Sequence, residues 1–180
     1  MDGKRRFVIL DRDGTLIVEK RCLSDPNEVE LLPYAAWGLR MLKELRLGLI
    51  IVTNQPDISR GLISIADLTK VHSRLSSLLH YEKVHLDFIY YCPHTAYDRC
   101  RCRKPATLLL EHAASKFDFD LRTSFVIGDR ISDIEMGQRV GATTMLVRSE
   151  QKLRDLRPDY TVDNLVDAAE IVREVLQWGV

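Results

Sequence analysis

The chain has 180 residues, 46% of them apolar, a globular proportion at a length that can bury a core. Lys and Arg number 26, as do Asp and Glu, so the formal charge is zero, which argues against a broad footprint for nucleic acid or an anionic membrane. No apolar run nears the ~20 residues of a membrane-crossing helix, and MDGKRRFVILD at the start has neither the apolar core nor the cleavage site of a secretory signal.

In chain order, FVIL (7–10) reads as a short strand ending at acidic residues. Residues 34–45 have helical spacing, with Trp37, Met41, Leu42 and Leu45 expected on one face and Pro33 at the entry. LGLIIVT (47–53) is a second strand. Residues 65–79 form a second helix with a stripe of Leu68, Val71, Leu75, Leu78 and Leu79, capped by Ser64 or Asp67. LDFIYYC (86–92) is a third strand, and a helix over 106–117 opens at Pro105. SFVIG (124–128) precedes a helix over 131–140 that stops at Gly141. TTMLV (143–147), YTVDN and a helix over 165–178 close the chain, and the Arg/Asp-rich stretch 151–159 reads as a solvated connection.

Strands that are apolar throughout and alternate with helices predict an α/β fold: a doubly wound, mostly parallel, Rossmann-like sheet with helices on both faces. One domain over 1–180, in the cytoplasm with reduced thiols, is expected. Ligands of such sheets bind at the carboxyl ends of the strands. Asp11 and Asp13 follow the first strand, Thr53 and Asn54 the second, a Cys/His loop and then Lys104 the third, and Asp129 the fourth. The long irregular piece 17–32 is expected to be a flap over that edge.

Each of these residues has an ordinary reading when taken alone. DRDGT (11–15) is a solvated Asp-Gly turn or a pair of carboxylates that needs a cation or a shared proton, with Gly14 permitting the turn. Thr53-Asn54 is a turn or an anion cradle, Lys104 a surface lysine or a fixed positive charge, and GDRISD (128–133) a capped helix start or an acid with Asp133 supporting Asp129. All four at successive strand ends are much harder to assign to chance.

DRDGT, Thr53, Lys104 and GDxxxD resemble the haloacid dehalogenase-like phosphohydrolases. More narrowly, LDRDGT, TNQ…ISRG (53–61), CPH…CxCRKP and IGDxxxD are similar to the branch of heptose-bisphosphate and histidinol-phosphate phosphatases. The resemblance implies that Asp11 attacks phosphorus and forms an aspartyl-phosphate. Asp13 would act as acid and then base, and Mg²⁺ would be held by Asp11, the Asp13 carbonyl and Asp129. Thr53 and the Asn54 amide would orient the phosphoryl group, Lys104 would offset its charge, and Gly14, Thr15 and Asp133 would support the site. Two departures stand out: Ile17 replaces a usual Asn, and Pro56-Asp57 replaces a Ser-Gly pair. Asp57 would disfavour an anion beside it.

The branch carries zinc in its Cys/His loop. Cys92, His94, Cys100 and Cys102 are ligand types that zinc takes, and a Cys100–Cys102 disulfide would close a strained ring. Four protein ligands leave no open position, so Zn²⁺ there would be structural, folding the loop that ends at Arg103 and Lys104. Cys22 reads as an isolated small side chain, and His72, His80, His85 and His112 as surface or helix-face residues.

No insertion is long enough for a large cap domain. Loops 17–32, 55–64 and 92–102 should cover the site, which suits a small phosphorylated metabolite. The expected substrate is a sugar bisphosphate such as heptose 1,7-bisphosphate, with Arg60 and Arg103 on the second phosphate, and the alternative is histidinol phosphate. A signalling receiver domain is disfavoured, because LIIVTNQ ends without an acid. A non-catalytic zinc-stabilised phosphate-binding domain remains the alternative of another class. No nucleic-acid or membrane partner is expected, and a monomer is the default.

Overall fold

A computed structural model describes residues 4–147 and 156–178. Six strands form one all-parallel sheet in the order β3-β2-β1-β4-β5-β6: β1 Phe7–Leu10, β2 Gly48–Asn54, β3 Phe88–Cys92, β4 Phe125–Gly128, β5 Thr143–Val147 and β6 Tyr160–Val162. The helices are α1 Ala35–Glu44, α2 Ile65–Tyr81, α3 Leu108–Phe117, α4 Ile131–Arg139 and α5 Leu165–Trp178. Period-2 alternation splits the central strands between two cores. Val8, Leu10, Leu49 and Ile51 pack with Leu39 of α1, Val71 of α2 and Ala169 of α5. Phe7, Ile9, Ile50 and Val52 pack with Leu110 of α3 and Met136 of α4 on the other face. None of the described helices is long and apolar enough to cross a membrane.

The chain runs outward from β1 through α1, β2, α2 and β3, then returns through α3 to β4 on the other side of β1. Connections leaving β1 and β4 therefore diverge, and a crevice opens between their carboxyl ends.

The face expected for the first helix is corrected at Trp37, which is 51% exposed; Leu42 is buried and Met41 and Leu45 pack partly buried against the same core, beside Ala35, Gly38 and Leu39. A Cβ at Gly38 would collide with the Leu165 backbone, so small residues bring α1 against α5 and turn the indole outward. Helix α2 starts as expected, with Ser64 and Asp67 forming a capping box. Helix α3 begins at Leu108, two residues later than expected. Within the 151–159 connection, residues 151–155 lie outside the described residues, and Asp159 accepts from Thr144 N and Oγ1, both at 2.7 Å.

Candidate active site

Strand β1 delivers Asp11, 6% exposed, to the crevice, and its backbone N–H donates to Ile127 O of β4. Residues 12–17 then fold back tightly: Leu16 N and Ile17 N both donate to Arg12 O, and Gly14 N donates to Ile17 O. Gly14 has φ +77°, and a Cβ on it would stand 2.5 Å from Asp129 Oδ2. Glycine thus meets a left-handed turn and the close approach of β4's acid at one position. Thr15 Oγ1 donates to Asp129 Oδ1 at 3.4 Å. One turn into α4, Asp133 accepts from Arg130 N at 3.0 Å through Oδ2.

Asp11, Asp129 and Asp133 converge so that one oxygen of each lies within 4.8 Å of the others. Between them sits Lys104, 4% exposed rather than on the surface. Its Nζ lies 2.7 Å from Asp11 Oδ1 and 2.6 Å from Asp133 Oδ1, but its directed hydrogen bond goes to Val52 O at 2.8 Å. The two carboxylate oxygens are paired with this ammonium and have no other partner. Asn54 clasps the Lys104 backbone on both sides, accepting from its N–H at 3.0 Å and donating to its carbonyl at 3.3 Å.

Burial pushes the Asp11 carboxyl up to about 7; Lys104 opposes this and Asp133 adds to it. Burial and then Asp133 push Asp129 up to about 6. Burial works against the Lys104 ammonium, but Asp11 and Asp133 hold its pKa above the ordinary value. Two buried carboxylates and a half-buried one face the Lys104 ammonium and, 4.0 Å from Asp129, Arg130 Nε, which leaves the cluster short of positive charge. Converging acids that outnumber the cations beside them, next to a cradle that only glycine can line, fit a hard divalent cation.

Asp13 is held by residues that sequence reasoning missed. Arg12, 1% exposed, donates through Nη2 to Asp13 Oδ1 at 2.9 Å and to Oδ2 at 2.8 Å, and through Nε to Oδ2 at 3.1 Å. Its Nη1 lies 3.1 Å from His72 Nε2. Gln55 Nε2 donates to Asp13 Oδ2 at 2.8 Å and to Thr53 Oγ1 at 2.9 Å. Thr53 therefore accepts from the protein side and keeps its own O–H for a ligand. His72 is not the solitary helix-face residue expected. Its ring stands edge-on to Tyr91, with centroids 6.0 Å apart, and burial and then Arg12 push its pKa down to about 4. Elsewhere His80 and His85 are exposed and meet each other edge to face, and His112 is exposed.

The Cys/His loop brings its four expected residues together as free side chains. Sγ–Sγ separations are 3.0 Å (Cys92–Cys102), 3.5 Å (Cys92–Cys100) and 3.5 Å (Cys100–Cys102). His94 Nδ1 lies 3.2 Å from Cys102 Sγ and 3.6 Å from Cys92 Sγ. These approach the edges of a tetrahedron around Zn²⁺, about 3.8 Å for Zn–S bonds of about 2.3 Å. Arg103 Nη1 donates to His94 O at 3.0 Å, so the loop and the arginine are tied together.

A cavity of about 690 Å³ opens over the crevice, lined from the flap by Glu19 to Leu23, from the 55–62 loop, and by Arg103, Lys104 and Arg130. Glu19 pairs with Arg130, clasping the flap to the start of α4. Arg60 pairs with Asp57 at 3.0 Å, which neutralises the acid that stood out in the sequence. Cys22 is not isolated: it lines the cavity, and burial and then a hydrogen bond with Asp57 push its thiol up. Ile17 is fully buried in the core on the α1 side and is absent from the cavity wall.

An all-parallel sheet whose divergent strands deliver these acids, opposite a buried lysine on the 53–54 shelf, defines a haloacid dehalogenase-like phosphohydrolase. A HAD-hydrolase-like family model matches residues 101–168. The D-glycero-D-manno-heptose-1,7-bisphosphate 7-phosphatase of Chlorobaculum tepidum is 34% identical over 91% of this chain and 92% of its own length. That of Haemophilus influenzae, specific by name for the β form, is 30% identical over 94% and 98%. The crystal structure of the D,D-heptose 1,7-bisphosphate phosphatase of B. bronchiseptica with magnesium and phosphate superposes at a TM-score of 0.85, with 26% identity over 94% of this chain and 98% of that one. The chain is a phosphoric monoester hydrolase and belongs to the family of heptose-1,7-bisphosphate 7-phosphatases.

Proposed function

We propose that this chain removes the 7-phosphate of D-glycero-D-manno-heptose 1,7-bisphosphate, with Asp11 as nucleophile and Asp13 as acid and base. The observation that carries this reading is the Asp11–Asp129–Asp133 cluster, richer in carboxylates than in cations, whose Asp11 lines a cavity that has Arg60, Arg103 and Arg130 in its walls. Mg²⁺, held by Asp11, the Asp13 carbonyl and Asp129, would supply the missing charge and draw electron density from the phosphoryl oxygens. Asp11 attacks phosphorus in line and forms an aspartyl-phosphate as the leaving oxygen takes a proton from Asp13. Asp13 then takes a proton from the water that cleaves the acyl phosphate. Thr53 O–H and the Asn54 N–H hold the phosphoryl oxygens, and Lys104 balances their charge. Arg60 and Arg103 face the sugar and its second phosphate. Zn²⁺ on Cys92, His94, Cys100 and Cys102 would fix the loop that presents Arg103 and Lys104.

The test is phosphate release with Mg²⁺ from both anomers of heptose 1,7-bisphosphate, fructose 1,6-bisphosphate and histidinol phosphate, with Asp11→Asn as the control. Release from a heptose anomer at a kcat/KM at least ten times that of the other substrates, lost in Asp11→Asn, is expected. Preference for histidinol phosphate would move the substrate and keep the chemistry. The histidine biosynthesis bifunctional protein of Blochmanniella floridana, 33% identical, is covered by this chain over only 39% of its length.

A further inference from the structure

Arg12 sits between the two acids of the DRDGT turn, yet it is as buried as the core valines. A guanidinium taken out of water must place its donors, and Arg12 directs three contacts at its own neighbour, Asp13, and one at His72 across the sheet edge on α2. Arginine can only donate, so His72 Nε2 must accept and the ring proton must sit on Nδ1. His72 is therefore a neutral imidazole acting as a fixed acceptor.

The two oxygens of Asp13 are not equivalent. Oδ2 receives Arg12 Nε, Arg12 Nη2 and Gln55 Nε2, at 3.1, 2.8 and 2.8 Å. Oδ1 receives Arg12 Nη2 alone, at 2.9 Å. Three donors fill the lone pairs of Oδ2, while Oδ1 keeps one open.

We propose that His72, acting through Arg12 and together with Gln55, is a positioning residue that locks the Asp13 carboxyl so that proton transfer runs through Oδ1. This rests on the assignment of Asp13 as the general acid and goes beyond it by naming the oxygen and the residues that set it. In the first half-reaction an Asp11 oxygen bonds to phosphorus and the P–O ester bond breaks with its electron pair on the leaving oxygen. The proton on Asp13 Oδ1 passes to that oxygen, leaving Asp13 as the carboxylate that Arg12 and Gln55 already grip. Without the His72 acceptor, Arg12 has no anchor on α2, and its grip on the Asp13 carboxyl loosens, with Gln55 left to hold Oδ2.

General acid catalysis matters when the leaving group is a poor one and little when it is good. The experiment compares kcat/KM, which stops at phosphoryl transfer, for a sugar phosphate with an alkoxide leaving group and for p-nitrophenyl phosphate. Wild type, Asp13→Asn, His72→Leu and His72→Gln are measured. Asp13→Asn should lose most of the sugar-phosphate rate, within the ~10²–10⁴-fold range of acid–base catalysis. His72→Leu should lose roughly tenfold with the sugar phosphate and less than threefold with the aryl phosphate. His72→Gln, which can offer Oε1 to Arg12, should regain most of that loss. Equal losses on both substrates, or no rescue by glutamine, would overturn the positioning role. Inactive wild type would instead remove the phosphatase reading itself, and sugar-phosphate hydrolysis that survives Asp13→Asn would remove the assignment of Asp13 as the general acid.

Discussion

Asp133 is the residue on which the charge balance of the site turns. It caps α4 through one oxygen and meets Lys104 through the other, so Asp133→Ala would leave a buried ammonium with one partner fewer. Breaking a buried pair from one side costs about 3–5 kcal/mol, and denaturant unfolding should show a loss of that order, with a smaller one for Asp133→Asn. The raised carboxyls set a second expectation. Asp11 at about 7 and Asp129 at about 6 keep protons in the metal-free fold that the unfolded chain gives up near the ordinary 3.8. The metal-free protein should therefore lose stability as pH rises from about 4 through 7. Mg²⁺ competes for the same oxygens, so the rise in Tm that it causes should grow between pH 5 and pH 8. A gain in Tm independent of pH would contradict the assignment of these oxygens as ligands. Sequence order alone made the acids, Thr53 and Lys104 legible, because each follows a strand. It could not show Arg12, Gln55 or His72, whose importance comes from burial and from one another. A single arginine beside two aspartates looks solvated until the turn closes over it.

At the scale of elements, strands and helix ends were legible because β-branched runs and capping residues act locally. The face of α1 was legible only in part. A stripe of Ala35, Gly38, Leu39 and Leu42 carries little hydrophobic weight at two positions, and Trp37 outweighs them in any periodicity count. Close approach to α5, a nonlocal fact, decides the matter in favour of small residues. Ile17 is a similar case: it stood out as a departure beside the substrate, but the 12–17 turn folds it into the core. The Cys/His loop is the element with the clearest test. Chelation followed by Mg²⁺ alone should leave the enzyme inactive, and Mg²⁺ with Zn²⁺ should restore it. Far-UV circular dichroism should barely change, because both hydrophobic cores are built mainly from the sheet and helices. Cys102→Ser should behave like the chelated protein. Recovery of full activity with Mg²⁺ alone would show that the loop folds without its ion.

At the scale of the whole molecule, zero net charge concealed a basic cavity. Among the described residues its lining carries seven cationic side chains against four acidic ones, which favours an anionic guest although the protein as a whole is neutral. Screening falls mostly on the more exposed members, so KM for a bisphosphate should rise several-fold between 0.05 and 0.5 M salt, with kcat nearly constant. The fold class could be read from alternation alone, but the pairing of β1 with β4 could not. That pairing joins residues more than a hundred positions apart and places Asp129 against Gly14.

The clasp between Asn54 and the Lys104 backbone joins a strand end of the catalytic crevice to the Cys/His loop. Under the proposed chemistry, the enzyme depends on two metals with very different supplies. Magnesium is abundant, whereas zinc is rationed by uptake and by competing proteins. A cell deprived of zinc would accumulate the uncleaved substrate of this phosphatase although no zinc touches that substrate, and nutrient status would reach carbohydrate metabolism through a structural joint.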